Sequence, residues 1–101
     1  MKTPLALAQS LNIYWLQRYG AASMSGNCGL LSYKLANKLV ESGHSVSVVS
    51  GRFRGQRSNH AWVECDGQIL DPTSSQYGDY PVLGDPANYL PRTKTPLKAS
   101  R

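Results

Sequence analysis

Apolar positions change their spacing along this chain, and the change divides it into a helical first half and a stranded second half. Leu7, Leu11 and Tyr14 recur at the spacing of one helix face, with Trp15 adjoining. Thr3 followed by Pro4 starts that helix, a hydroxyl N-cap with proline at the first helical position, and Gly20 closes it. The small polar connection "AASMSGN" leads to a second periodic run over about 28–42. There Leu31, Leu35 and Leu39 form the apolar stripe, widened by Ala36 and Val40, and Lys34, Asn37, Lys38 and Glu41 form the wet one. Gly43 is a natural C-terminal stop.

The period then falls to two. Val46 and Val48 alternate with serines and Val49 follows, which predicts a strand ending at Gly51. "HAWVEC" and "QILDPT" predict two more strands, joined by Asp66-Gly67, a pair favoured in two-residue hairpin turns. Such a turn sets Cys65 opposite Gln68, Val63 opposite Leu70 and Trp62 opposite Asp71. Alternation puts His60, Trp62 and Glu64 on one face with Ile69 and Asp71, and Ala61, Val63 and Cys65 on the other. His60 and Asp71 become diagonal neighbours, roughly 5.5–8 Å apart at the backbone, within reach of a carboxylate–imidazole hydrogen bond. A register slip of one residue would separate them onto opposite faces. Beyond Thr73 the chain is rich in turn residues and tyrosine. The expectation there is an irregular segment or a short strand, one helical turn near 85–90, and a flexible basic tail over 92–101. The class is α+β: N-terminal helices packed on a small antiparallel sheet, in one domain spanning 1–101.

Composition narrows the function. A chain of 101 residues with 41% hydrophobic positions has the size and apolar content of one folded domain. No run approaches the ~18 apolar residues of a membrane span. The N-terminal apolar stretch is short, broken by Pro4, and a poor signal peptide. A cytoplasmic protein without a membrane partner is expected. The net charge of +5 favours acidic partners weakly. Lys and Arg are scattered, so nucleic acid is not the expected partner. The densest group, "GRFRGQR" with Arg52, Arg54 and Arg57, reads as a solvated loop. The two cysteines, with His44 and His60, do not make a zinc-ligand spacing. No metal or organic cofactor is called for.

Cys28 stands where the second helix begins, after "SGN" and before Gly29. Exposed amides and the helix dipole favour a thiolate there, and the same amides can hold an oxyanion. Gly26 and Gly29 allow a substrate backbone close to the sulfur. Cys65, on the face opposite His60, reads as a small buried hydrophobe, and His44 as a surface turn residue.

The order of a helix-start Cys in "NCGLLSYKLANKLVESGHSVSVVSGRF", a strand His in "NHAWVECDGQILD" and an Asp in "LDPT" resembles the transglutaminase-like branch of papain-fold cysteine enzymes. It looks especially like the bacterial transglutaminase-like peptidases, which include the leader peptidases of lasso-peptide maturation. The resemblance covers 26–78. It implies a papain/transglutaminase-like core and a catalytic triad of Cys28 as nucleophile, His60 as base and then acid, and Asp71 as orienter. Papain-type proteases carry a glutamine a few residues before the cysteine as oxyanion donor; here that neighbourhood has none, and Gln17 or Asn12 could substitute through space. The implied activity is a cysteine-dependent hydrolase, a peptidase or amidase acting through a thioester on a peptide or protein substrate. The short chain calls for a shallow cleft or one completed by a partner protein. A transglutaminase or glutamine deamidase would use the same triad. The rival classes are a non-catalytic binding module on this fold and a basic adaptor working through "GRFRGQR".

Overall fold

In the computed structural model, which describes residues 2–99, Thr3 caps the first helix as the sequence predicts. Its Oγ1 accepts from the Ala6 N–H at 3.1 Å, and α1 runs Pro4–Tyr19. A 3-10 turn, Ala21–Met24, connects to α2, Cys28–Glu41. The strands follow as β1 (Val46–Phe53), β2 (His60–Cys65), β3 (Gln68–Leu70), β4 (Leu83–Gly84) and β5 (Tyr89–Leu97). They form one five-stranded antiparallel sheet in the order β4-β3-β2-β1-β5. The protein is thus a small α+β domain. Among the described residues, no helix is long and apolar enough to cross a membrane.

The hairpin has the register that its turn dictates. Asp66 and Gly67 both take positive φ, 52° and 77°, as a type I′ turn requires. Cys65 pairs with Gln68 and Val63 with Leu70. Alternation then gives the sheet two different faces. Val46, Val48, Val63, Cys65 and Leu70 meet Leu35, Ala36 and Leu39 of α2 in one core cluster. Val49, Phe53, Trp62, Ile69 and Tyr89 form a second, aromatic cluster on the other face. The chain after β3 closes that second face. A 3-10 turn, Ser74–Tyr77, lays the Tyr77 ring on Phe53 with centroids 4.5 Å apart.

Three expectations need correction. Residues 92–97 are not tail: they belong to β5, which pairs with β1 along its whole length. The strand read as "QILDPT" stops at Leu70, because Asp71 turns its N–H to the Val82 carbonyl (2.8 Å) and Pro72 has no N–H to give. On α1 the fully buried side is Ala8 and Asn12, while Leu7 and Leu11 are half-buried and Tyr14 is exposed. Small Ala8 lets the helix sit close to the core, and Asn12 finds polar partners there, so spacing of large apolar residues misjudged the inner face.

Gly51 makes the β1–β5 pairing possible. The register shifts between Ser50 and Gly51, and a Cβ at Gly51 would collide with the Leu90 carbonyl oxygen and lie 2.9 Å from Pro91 Cα. Both obstacles are backbone, which cannot rotate away. Gly51→Ala should therefore lower the unfolding free energy by about 1–3 kcal/mol in urea titrations. It should also loosen β5, read as faster amide exchange over Tyr89–Leu97.

Candidate functional site

Asp71 is fully buried at the end of β3. Such a carboxylate is costly without partners, and here it has four donors. Oδ1 accepts from the Thr73 N–H at 3.0 Å and the Thr73 hydroxyl at 3.1 Å, a local turn that "DPT" encodes. Oδ2 accepts from His60 Nε2 at 2.7 Å and from the Tyr89 hydroxyl at 2.7 Å. Two further side chains hold the segment in place. Asn12 Nδ2 donates to the Pro72 carbonyl at 2.8 Å and to Ser75 Oγ at 3.2 Å. Gln76 Nε2 donates to Thr73 Oγ1 at 3.1 Å.

His60 opens β2 on the aromatic face, among Phe53, Trp62, Tyr77 and Tyr89, and is 1% exposed. Burial is the largest single influence on its ring and pushes the pKa down. Hydrogen bonds to Asp71 and Cys28, with the charges of both, outweigh it and raise the pKa to about 9. Asp71 holds Nε2, which leaves Nδ1 for the thiol, with Gln76 Nε2 3.5 Å from that nitrogen.

Cys28 is half-buried at the first position of α2, whose N-cap, Asn27, makes no side-chain cap. The Asn27 amide instead donates to the Ser23 carbonyl at 2.6 Å and does not cap the first-turn N–H groups. The hydrogen bond with His60 pulls the Cys28 thiol pKa below its ordinary value. Burial opposes this, and the backbone N–H groups of Ala61 and Gly29 and the imidazolium charge assist it. Both shifts run in the direction of a thiolate beside an imidazolium.

The structure therefore brings Cys28, His60 and Asp71 together, but Cys28 arrives by a route that the apolar stripe does not suggest. Leu35 and Leu39 pack on the sheet face opposite His60. Cys28 meets His60 at the start of β2, beside the Ala61 backbone, not across the face of the sheet. Cys65 is buried on the helix side; burial first, then the charge of Asp66, raises its thiol pKa to about 11.

The sulfur opens into a cleft of about 350 Å³ lined by Ser25, Gly26, Gln56, Ser58, Asn59, Gln76 and Tyr77. None of Arg52, Arg54 and Arg57 lines it. Asn12 serves the Pro72 turn, and Gln17 is exposed and outside the cleft, so neither is an oxyanion donor here. Sequence reasoning missed Tyr89 and Gln76. Thr73 had a local signal, the Asp-Pro-Thr turn; Tyr89 had none, since its contact depends on β5 crossing to β1. Comparisons with models of known protein families, with curated proteins and with solved structures find no match.

Two changes probe the pair. Asp71→Asn leaves burial of His60 unopposed by a carboxylate, so the His60 pKa should fall well below about 9 in an NMR titration of the ring. Tyr89→Phe keeps the ring and removes one donor from the buried carboxylate. It should cost about 1.5–3 kcal/mol of stability in chemical denaturation, the range for hydrogen bonds to charged groups.

Proposed function

We propose that this chain is a cysteine-dependent hydrolase, a peptidase or amidase built on a papain/transglutaminase-like core, with Cys28, His60 and Asp71 as its catalytic triad. The observation that carries the reading is the buried His60–Asp71 pair, at 2.7 Å, beside a thiol at an uncapped helix start whose pKa His60 lowers. A binding surface has no need of a nucleophile, a proton carrier and a buried orienting carboxylate in one line.

The chemistry follows from those groups. The Cys28 thiolate attacks a carbonyl carbon, and the negative charge moves to the carbonyl oxygen. The backbone N–H of Cys28 and a cleft amide, Gln56, Asn59 or Gln76, supply donors for that oxyanion. The C–N bond breaks as His60 gives its proton to the leaving nitrogen, and a thioester to Cys28 remains. His60, now neutral, takes a proton from water, whose oxygen attacks the thioester. The acid leaves, and thiolate and imidazolium are restored. Asp71 holds the ring and balances the imidazolium throughout. An amine in place of water would make the same site a transglutaminase. A glutamine carboxamide in place of a peptide bond would make it a deamidase. The substrate is a peptide or protein, and a partner protein completes a cleft this small. A free nucleophilic thiol suits a reducing compartment such as the cytoplasm.

The pH dependence follows from the two shifts. Cys28 should react with iodoacetamide at lower pH than an ordinary thiol does, and Cys65 should stay inert at neutral pH. Turnover needs the imidazolium as acid, so it should fall as pH rises through about 9. The direct test is a peptide mixture incubated with the protein, with new N-termini, released ammonia and acyl-Cys28 read by mass spectrometry. Wild type should give one of these products, and Cys28→Ala none. Asp71→Asn should lower the rate by about 10⁴-fold, as the matching change does in a serine triad. Equal reactivity of the two thiols and no product from any peptide would return the site to a binding role.

A further inference from the structure

The groove between α1 and α2 is unrelated to the thiol chemistry and shares no residue with the Cys28 cleft. It encloses about 750 Å³. Its floor includes Leu7 and Leu11, half-buried against the core, and its walls are aromatic. Tyr14 and Tyr19 line it at 51% and 55% exposure, with Trp15 between them. The stripe Leu7, Leu11, Tyr14, spaced to be covered, is therefore only partly covered by the described residues.

The rim is basic. Lys2, Lys34 and Lys38 stand around the groove against a single acid, Glu41. Lys34 and Lys38 are one helical turn apart, a like-charged arrangement that destabilises a helix slightly. Among the described residues, neither forms an ion pair with a carboxylate. Arg18 adds a further positive charge, its guanidinium 5.2 Å from the Tyr14 ring centre. Exposed aromatic surface ringed by unpaired ammonium groups is complementary to an apolar side chain flanked by carboxylates.

We propose that this groove docks an acidic amphipathic segment of a partner protein, its apolar side chains on Leu11 and Trp15 and its carboxylates on Lys34 and Lys38. Basic-rim contacts of this kind accelerate association and weaken with salt. The docking does not depend on the proposed hydrolysis, because none of its groups touches Cys28, His60 or Asp71.

The test uses the full chain and a synthetic peptide with leucines at helical spacing and glutamates elsewhere. Controls are the same peptide with lysine for every glutamate, and a scrambled isomer. Amide shifts in two-dimensional NMR should concentrate on α1 and α2 for the acidic amphipathic peptide alone. The double change Lys34→Glu and Lys38→Glu should weaken binding at least tenfold, and so should Tyr14→Ser with Tyr19→Ser. Both leave the alkylation rate of Cys28 unchanged, which checks the fold and separates this idea from the hydrolase. Four results would overturn it: no shifts at millimolar peptide; equal binding of the lysine or scrambled peptide; binding to phosphatidylglycerol vesicles without binding to peptide; or concentration-dependent self-association that the tyrosine changes abolish.

Discussion

One buried carboxylate organises the second half of this protein. Asp71 is reached from three separate stretches: Thr73 in its own turn, His60 at the head of β2, and Tyr89 at the head of β5. A charge removed from water must find its donors inside, so each stretch is held to the others through the same two oxygens. Asn12 extends the network to α1 through the Pro72 carbonyl. Four elements distant in sequence are thereby referred to a point a few ångströms wide, and the orientation of the His60 ring follows.

The two faces of the sheet differ in composition. The helix-side face is aliphatic and needs nothing but close packing of Val, Leu and Ala side chains. The other face is aromatic and holds the hydrogen-bonded His60–Asp71 pair among its rings. Flat rings suit that task, because few rotamers are open to them and their edges and faces meet at fixed angles. Phe53 alone touches His60, Tyr77, Tyr80 and Tyr89 with its ring. Gly84 belongs to the same design: a Cβ there would come within 2.6 Å of both Ile69 and the Tyr89 ring.

The sequence was legible where a local rule decided the outcome. Thr3-Pro4, the Leu31, Leu35, Leu39 stripe and the Asp66-Gly67 turn each depend on residues within a few positions, and the hairpin register put His60 and Asp71 on one face. The misses are contacts between distant segments. β5 carries two prolines, one arginine and one lysine, a composition that reads as tail yet suits an edge strand, where proline and charge are tolerated. Tyr89 reaches Asp71 only because β5 joins β1 and not its chain neighbour β4. The turn from Asn27 into α2 brings the thiol round the end of β2, and no periodicity encodes that path.

Among the described strands β5 comes latest in the chain, and it lies beside β1. On a ribosome the chain emerges in order, so one edge of β1 stays open until β5 has left the tunnel. Throughout that interval Asp71 lacks the Tyr89 hydroxyl, and the aromatic face lacks one of its rings. The imidazole and thiol are already synthesised but not yet locked in line. A chain ending before Tyr89 carries Cys28, His60 and Asp71 without the hydroxyl and the ring that β5 brings to the buried carboxylate.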